Sequence, residues 1–156
     1  MSYLSSIDTP AFDRIDPTQC INAKLRRLHR LINSAYQQKI NPFGLRGSML
    51  SILFIIGKNR HINQKTIADM LVLDQSTMSR DLKKLVDKGW VAVFKGKDPR
   101  HSELELTTAG FQLLEEVSPV WEQLHKKVEG ILGTFNIQQI DSITMAIQNH
   151  LDEIKE

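Results

Sequence analysis

The sequence predicts a mainly α-helical protein with one small β-hairpin. Three observations indicate this fold: apolar residues recur at helical spacing through most of the 156 residues, two short capped helices follow each other near the centre, and strand-like segments flank a polar turn behind them. With 41% hydrophobic residues and a single cysteine, the chain can build an ordinary core and does not need a disulfide framework. We therefore predict one domain, residues 1–156.

The first helix is predicted to begin at Asp16, an N-cap residue, followed by Pro17, which suits the first helical position. Its apolar stripe steps by four and then three residues, and the helix should end at Asn41-Pro42-Phe43-Gly44. The stripe consists of Ile21, Leu25, Leu28, Ile32 and Ala35. Residues 1–15 show no convincing period. A stripe of this kind favours a partner helix.

Two further helices are predicted between the first helix and Val72. Met49 to Ile56 is the most apolar stretch, but it is interrupted by Ser51 and is too short to span a bilayer, so it predicts a buried helix. Asn63 can cap a shorter helix that runs through Leu71. That helix should bury Ile67, Ala68 and Leu71 and expose Gln64, Lys65 and Asp69.

Asp74 is the N-cap of the following helix, which should end at Lys88 and Gly89. At about 100° per residue, the helix has an apolar and a polar face. The apolar face carries Met78, Leu82, Leu85 and Val86; the polar face carries Ser76, Arg80 and Lys83, flanked by Thr77 and Lys84. Short hydroxyl groups among long cations suit a DNA groove. Two capped helices joined across Val72-Leu73 predict a helix-turn-helix.

The pattern then changes from helical to strand-like. Residues 90–94 are rich in β-formers, residues 95–101 form a polar turn, and Leu104-Glu105-Leu106 alternates. This predicts a β-hairpin, the wing of a winged helix-turn-helix. Asp98 and Pro99 are also common in ordinary turns, so the turn alone does not assign them a role.

Two apolar helices are predicted behind the wing. The first starts at Thr108, should bend at Ser118-Pro119 and end at Gly133, and the second starts at about Asn136. Their stripes consist of Leu114, Val117, Trp121, Leu124, Val128 and Ile131, and of Ile140, Ile143, Ile147, Leu151 and Ile154. We expect a DNA-reading head at about residues 45–107, with N- and C-terminal dimerisation helices at about 16–44 and 108–156.

Charge is unevenly distributed along the chain. Residues 58–101 contain ten basic and five acidic residues, whereas residues 102–156 contain three basic and ten acidic residues, within an overall net charge of +2. A basic head on an acidic body favours a polyanionic partner and would orient the protein on it.

The string Leu-Asp-x-Ser-Thr-x-Ser-Arg (73–80), the Asp-x-Arg turn and the closing Leu-x-Leu-Thr-x-x-Gly (104–110) resemble the MarR family of winged-helix transcriptional regulators. The resemblance extends from about Gln19 to the C-terminus. It implies that the recognition helix enters the major groove, using Ser76, Thr77, Ser79 and Arg80. It also implies that Arg100 inserts into the minor groove while Asp98 holds it.

The expected function is therefore that of a sequence-specific regulator which binds double-stranded DNA. We expect a homodimer on a palindromic operator, acting as a ligand-responsive repressor in the bacterial or archaeal cytosol and associated with the nucleoid. The predicted DNA-binding residues are Gln64, Lys65, Gln75, Ser76, Thr77, Ser79, Arg80, Lys83, Lys84, Lys97, Asp98 and Arg100. A winged-helix module for protein partners would use the same basic surface, and binding that falls steeply with salt would distinguish DNA from such a partner.

Other sites are weaker in the sequence. Cys20, placed in the first turn of the first helix, could support a redox-sensing regulator, although a buried small hydrophobe is the commoner fate of a lone cysteine. The resemblance implies an effector pocket, with Arg26, His29, Tyr36 and Trp121 as candidates. Catalytic motifs and metal-ligand spacings are lacking, so we expect no enzyme activity, cofactor or metal, and no membrane partner.

Overall fold

The structure is a computed structural model that describes residues 8–59, 61–96 and 102–155. The chain divides into two compact units, Met1–Ala35 and Tyr36–Glu156. In the first unit, helix α1 (Pro10–Asp13) precedes a 3-10 turn at Pro17–Gln19, and helix α2 (Ile21–Ile40) begins there and continues into the second unit. Most side chains of the first unit are exposed.

The start of the first helix differs from the prediction. Asp16 caps only the 3-10 turn, by accepting a hydrogen bond from the Thr18 amide at 2.9 Å. Cys20 then takes an extended conformation, and its carbonyl accepts from the amide of Lys24 at 3.1 Å. Cys20 thus precedes α2 instead of lying in its first turn. Its side chain is exposed in the single chain, where the alternative interpretation expected a buried residue.

The second unit is mainly helical with a small antiparallel sheet. Its elements are α3 (Met49–Lys58), β1 (Ile62–Asn63), α4 (Gln64–Leu71), α5 (Gln75–Asp87), β2 (Val91–Lys95), β3 (Ser102–Leu106), α6 (Thr108–Asn149) and α7 (Leu151–Lys155). The strand order is β1-β3-β2. Val91 pairs with Leu106 across the hairpin, and Ile62 pairs with Leu104 on its other side. The predicted fold class is confirmed. Strand β1 was not predicted, because two residues are too few to show an alternating pattern.

Helix α3 lies at the centre of the core. Ile52, Leu53 and Ile56 on α3 are at most 1% exposed, as expected for the most apolar stretch of the chain. They belong to one cluster with residues of α4, α5, β3 and α6, whose members include Ile67, Met78, Leu85, Leu104 and Val117. Apolar burial on this scale holds the helix-turn-helix against the sheet. Val86, predicted for the buried face of α5, is instead 36% exposed.

Helix α6 contains both of the helices that were predicted behind the wing. Its backbone remains helical through Pro119 and leaves helical geometry only at Gly133, where φ is 73° and ψ is 155°. The predicted break at Gly133 is therefore confirmed: two helical segments meet there at a kink, with a positive φ that only glycine adopts without strain. A second interruption at His150, with φ of −114°, separates α7. None of the described helices is long and apolar enough to cross a membrane.

The wing and α6 meet in a tight junction. Thr107 caps α6: its hydroxyl accepts from the amide of Gly110 at 3.1 Å and donates to the carbonyl of Gly89 at 2.6 Å. Its own amide donates to the carbonyl of Trp90 at 3.0 Å. A Cβ at Gly110 would overlap that same carbonyl oxygen. The Thr-x-x-Gly pattern of the sequence thus has a steric cause.

Candidate nucleic-acid interface

Two capped helices, α4 and α5, create the predicted helix-turn-helix. Asn63 accepts a hydrogen bond from the amide of Thr66 at 2.8 Å, which confirms the first cap. Val72 ends α4 in the left-handed region, with φ of 51°, and the amide of Leu73 then donates to the carbonyl of Ala68 at 2.9 Å. A β-branched residue is strained in that region, so the surrounding contacts, more than local preference, fix this turn.

The Asp74 cap confirms the predicted start of α5 and occupies its first hydroxyl groups. Asp74 accepts from the Thr77 amide at 2.8 Å, from the Ser76 hydroxyl at 2.6 Å and from the Thr77 hydroxyl at 2.7 Å. These hydrogen bonds favour the carboxylate and lower the pKa of Asp74, with the Ser76 hydroxyl contributing most. The hydrogens of Ser76 and Thr77 are therefore directed at Asp74, which leaves their oxygens to act as acceptors.

Ser79 lies further along α5 and has a different partner. The side-chain amide of Gln64, the first residue of α4, donates to the Ser79 hydroxyl oxygen at 2.8 Å. Gln64 is half-buried and Ser79 is exposed. This hydrogen bond links two residues that were predicted to contact DNA, one on α4 and one on α5.

Arg80 folds back along its own helix. Its Nε donates to the carbonyl oxygen of Ser76 at 3.2 Å, and a terminal guanidinium nitrogen is 3.4 Å from the Thr77 hydroxyl. Long helical side chains commonly point toward the N-terminus in this way. Arg80 remains exposed, and a guanidinium has five N–H donors, so it retains free donors for a base edge or a phosphate.

The cations of the next turn are partly neutralised. Lys83 pairs with Asp87 at 2.6 Å and Lys84 with Asp81 at 3.1 Å. Asp81 is only 7% exposed, and its other oxygen accepts from the amide of Ser48 at 3.3 Å. The sequence reasoning missed this buried carboxylate, although the spacing of positions 78, 81, 82 and 85 places it on the buried face of α5.

A concave groove of about 510 Å³ lies between α4, α5 and the hairpin. Its lining includes the polar residues Gln64, Lys65, Gln75, Ser79 and Lys83, and the apolar residues Leu82, Val86, Val93 and Leu104. Val86 lines this groove, which accounts for its exposure. A lining that is both polar and apolar can contact the hydrogen-bonding edges and the methyl groups of DNA bases.

The predicted wing-tip residues Lys97, Asp98 and Arg100 lie outside the described residues. At the base of the wing, His61 Nδ1 is 2.9 Å from a carboxylate oxygen of Glu103 and 3.2 Å from one of Glu105. Lys95 is exposed at the end of β2. No group of three or more potential metal ligands occurs in the part of the chain that the structure describes.

Two of the four candidate effector residues converge on a third side chain. The Tyr36 hydroxyl is 3.4 Å from Nδ1 of His125, and the Trp121 ring stacks on the His125 ring at 4.7 Å. Phe54 meets Trp121 edge-on at 5.5 Å, and burial raises the pKa of Tyr36. His125, at i+4 from Trp121, was not predicted. In the first unit, Arg26 and His29 are exposed on α2.

The order of elements, the three-stranded sheet and the capped helix pair define a winged helix-turn-helix. Comparison with solved structures agrees. The regulator MosR from M. tuberculosis, crystallised with DNA, has a TM-score of 0.74 at 25% identity over 84% of this chain and 98% of its own. A mutant MarR from E. coli, complexed with operator DNA, has a TM-score of 0.73 at 19% identity over 89% of this chain and 99% of its own.

The sequence comparisons show a likeness to one family. Residues 48–101 match the model of the MarR family. The HTH-type regulator YwoH of Bacillus subtilis is 32% identical over 57% of this chain, and SarZ of Staphylococcus saprophyticus is 30% identical over 60% of it. The alignments span 65% of the length of each of these relatives. The family model, the relatives and the fold thus agree that this chain is similar to MarR-family regulators.

Proposed function

We propose that this protein is a transcriptional regulator that binds double-stranded DNA sequence-specifically as a homodimer, probing the major groove with α5. One observation carries the proposal: Ser79 and Arg80 project from a rigidly capped helix beside a polar groove that Gln64 and Lys65 also line. The DNA complexes of MosR and E. coli MarR support it by likeness of fold. We further propose that it is a ligand-responsive repressor of the bacterial or archaeal cytosol, associated with the nucleoid.

The test uses duplex DNA and a matched pair of variants. Arg80→Ala should lower affinity for a selected operator by about tenfold to a hundredfold and reduce its preference over random DNA, because a good base contact discriminates by about 1–3 kcal/mol. Lys126→Ala removes an exposed cation that pairs with Glu122 on α6, far along the chain from the helix-turn-helix, and should leave affinity unchanged. If Arg80→Ala lowers the affinity for operator and random DNA equally, Arg80 contacts a phosphate and not a base.

Salt dependence distinguishes a DNA-binding protein from a module for protein partners. Each neutralised phosphate contributes a slope of about −0.9 to a plot of log affinity against log salt concentration. We expect a steep slope for the wild type and a shallower one for Lys65→Ala. A wild type that does not bind duplex DNA even at low salt would contradict the proposal.

We extend the proposal to the wing, on the basis of the family resemblance of its sequence. Arg100 would enter the minor groove, with Asp98 holding it and Lys97 contacting the backbone. Arg100→Ala should then weaken binding most where the flanks are A·T-rich, since a narrow minor groove concentrates negative potential. Equal losses on G·C-rich flanks would argue against insertion.

The homodimer is proposed from exposed apolar side chains. Along the second half of α6 and α7, Ile131 is 84% exposed and Phe135 is 70% exposed, and the stripe continues through Ile140, Ile143, Ile147, Leu151 and Ile154. On α2, Ile21, Leu25, Leu28 and Leu31 are likewise exposed. Apolar surface of this extent favours an interface, and a single recognition helix reads too few base pairs to be specific alone.

Full-length variants test the dimer. Ile143→Glu places a charge within the stripe and should shift the mass measured by light scattering from dimer toward monomer, while operator affinity falls toward its non-specific level. Gln138→Glu adds the same charge on the side of α6 opposite Ile140, Ile143 and Ile147 and should remain dimeric. A wild type that is monomeric yet binds its operator tightly would refute the proposed homodimer.

The effector site is proposed at the aromatic cluster of Tyr36, Trp121 and His125, since a phenol and an imidazole beside an indole ring combine polar and apolar contacts. Tyr36→Phe should change the ligand concentration that releases DNA while leaving DNA affinity without ligand unchanged. Quenching of tryptophan fluorescence by added ligand in a Trp90→Phe background would report binding at Trp121, the other tryptophan of the chain.

A further inference from the structure

The three hydroxyl residues of α5 are not equivalent hydrogen-bonding groups. Ser76 and Thr77 direct their hydrogens at Asp74, at 2.6 and 2.7 Å. Ser79 instead accepts a hydrogen bond, from the side-chain amide of Gln64. Ser142 and Thr144 on α6 donate to the carbonyl one turn earlier, at 2.9 and 2.7 Å, and so satisfy their hydrogens internally.

Ser79 has no such internal acceptor within the described part of the chain. A hydroxyl has one hydrogen, and the amide N–H of Gln64 cannot take it. The hydrogen of Ser79 therefore remains available for an external acceptor. Donation from Gln64 also polarises the O–H bond, which makes Ser79 a stronger donor.

We infer that Gln64, on α4, determines the base specificity of Ser79 on α5: by donating to one lone pair of the Ser79 oxygen, it favours Ser79 as a donor toward the DNA base that it faces. The inference rests on the proposed function. Both residues line the groove beside α5, together with Gln75 and Lys83. Gln64 acts here through Ser79, as a positioning residue.

The inference assigns a base preference. In the major groove, guanine presents N7 and O6 and thymine presents O4, all acceptors, whereas cytosine presents an amino donor. A donating Ser79 therefore favours guanine or thymine over cytosine at one position of each half-site. Adenine presents both an acceptor and a donor and does not discriminate.

The experiment selects sequences from a randomised double-stranded DNA library with the full-length protein. For the wild type we expect a preference for guanine or thymine over cytosine of about tenfold at one position of the half-site. Ser79→Ala should abolish that preference at that position alone. In Gln64→Glu the carboxylate accepts the hydrogen of Ser79, so the preference should fall below about twofold or invert toward cytosine.

Two controls separate this role from charge and from packing. Gln75→Glu adds the same charge on the same groove and should lower affinity without changing the preference at the Ser79 position. Gln64→Ala should relax that position while the melting temperature and the other positions stay as in the wild type. If Gln64→Ala instead weakens the base preference equally at all positions and lowers the melting temperature, Gln64 only stabilises the packing of α4 against α5.

The remaining outcomes are also decisive. If Gln64→Glu and Gln75→Glu give the same selected sequences, the effect is one of charge and the inference is wrong. If the wild type enriches no sequence at all, the proposed function fails and the inference falls with it. Enrichment by the wild type with no change at any position in the Gln64 variants overturns the inference alone.

Discussion

Replacing Gly110 by alanine should destabilise the protein, although alanine is the better helix former. The new Cβ would overlap the carbonyl oxygen of Trp90 and lie 3.1 Å from its carbonyl carbon and 3.3 Å from a methyl carbon of Leu106. Backbone cannot rotate away as a side chain can, so α6 and the start of the hairpin must separate by about 1 Å to restore a normal contact.

The magnitude follows from opposing effects. Overpacking against backbone costs about 3 kcal/mol, at the upper end of the usual range, whereas alanine gains about 1 kcal/mol of helix propensity over glycine. The net loss in the free energy of unfolding is about 2 kcal/mol. For a chain of this size that lowers the melting temperature by about 4–8 °C.

Chemical and thermal unfolding followed by circular dichroism measure this change at one protein concentration. Gly130→Ala is the matched control: it lies on the same helix, and a Cβ there would meet nothing within 4 Å. We expect that variant to gain about 0.5–1 kcal/mol. A Gly110→Ala protein as stable as Gly130→Ala would refute the steric reasoning.

Three further predictions concern single side chains. The pKa of Asp74 is lowered from its ordinary value of 3.8, so the Asp74 carboxylate stabilises the fold fully above pH 3.8 and loses this effect as the pH falls toward its folded-state pKa. The free energy of unfolding, measured as a function of acid pH, should show this loss in the wild type and not in Asp74→Asn. Asp81→Ala should lower the unfolding free energy by about 1–3 kcal/mol because the amide of Ser48 loses its acceptor, while Asp81→Asn, which keeps an acceptor, should lose less in urea denaturation. Cys20→Ser should bind the operator as the wild type does, and peroxide should leave wild-type binding unchanged in fluorescence anisotropy; release by peroxide that the variant lacks would reveal a redox sensor.

Local signals in the sequence were sufficient for most of the fold. Asn63 and Asp74 are short polar residues placed directly before apolar periodic segments, and both form the predicted caps. Gly133 was predicted to end a helix because glycine tolerates positive φ, and it does break α6. Asp16 and Pro17 marked a helical start correctly but gave only a 3-10 turn, because cap chemistry does not fix which turn type follows it.

Contacts between elements set the limit of the sequence reasoning. The partner of Ser79 is Gln64, fifteen positions away on another helix, and no local pattern joins them. The two-residue strand β1 exists only because β3 offers it a free edge. Asp81 has the periodicity of a buried residue but the chemistry of an exposed one, and its burial depends on the amide of Ser48 on a distant segment.

The junction of Thr107 with the wing has a mechanical consequence for any change in spacing between two heads. Two hydrogen bonds and the close contact at Gly110 join the first turn of α6 to the end of α5 and the start of β2. These parts therefore move together as one rigid unit. Bending must occur elsewhere along the arm. Gly133 combines a non-helical backbone with open space around it, and it is the position where the second half of α6 can bend relative to the first half.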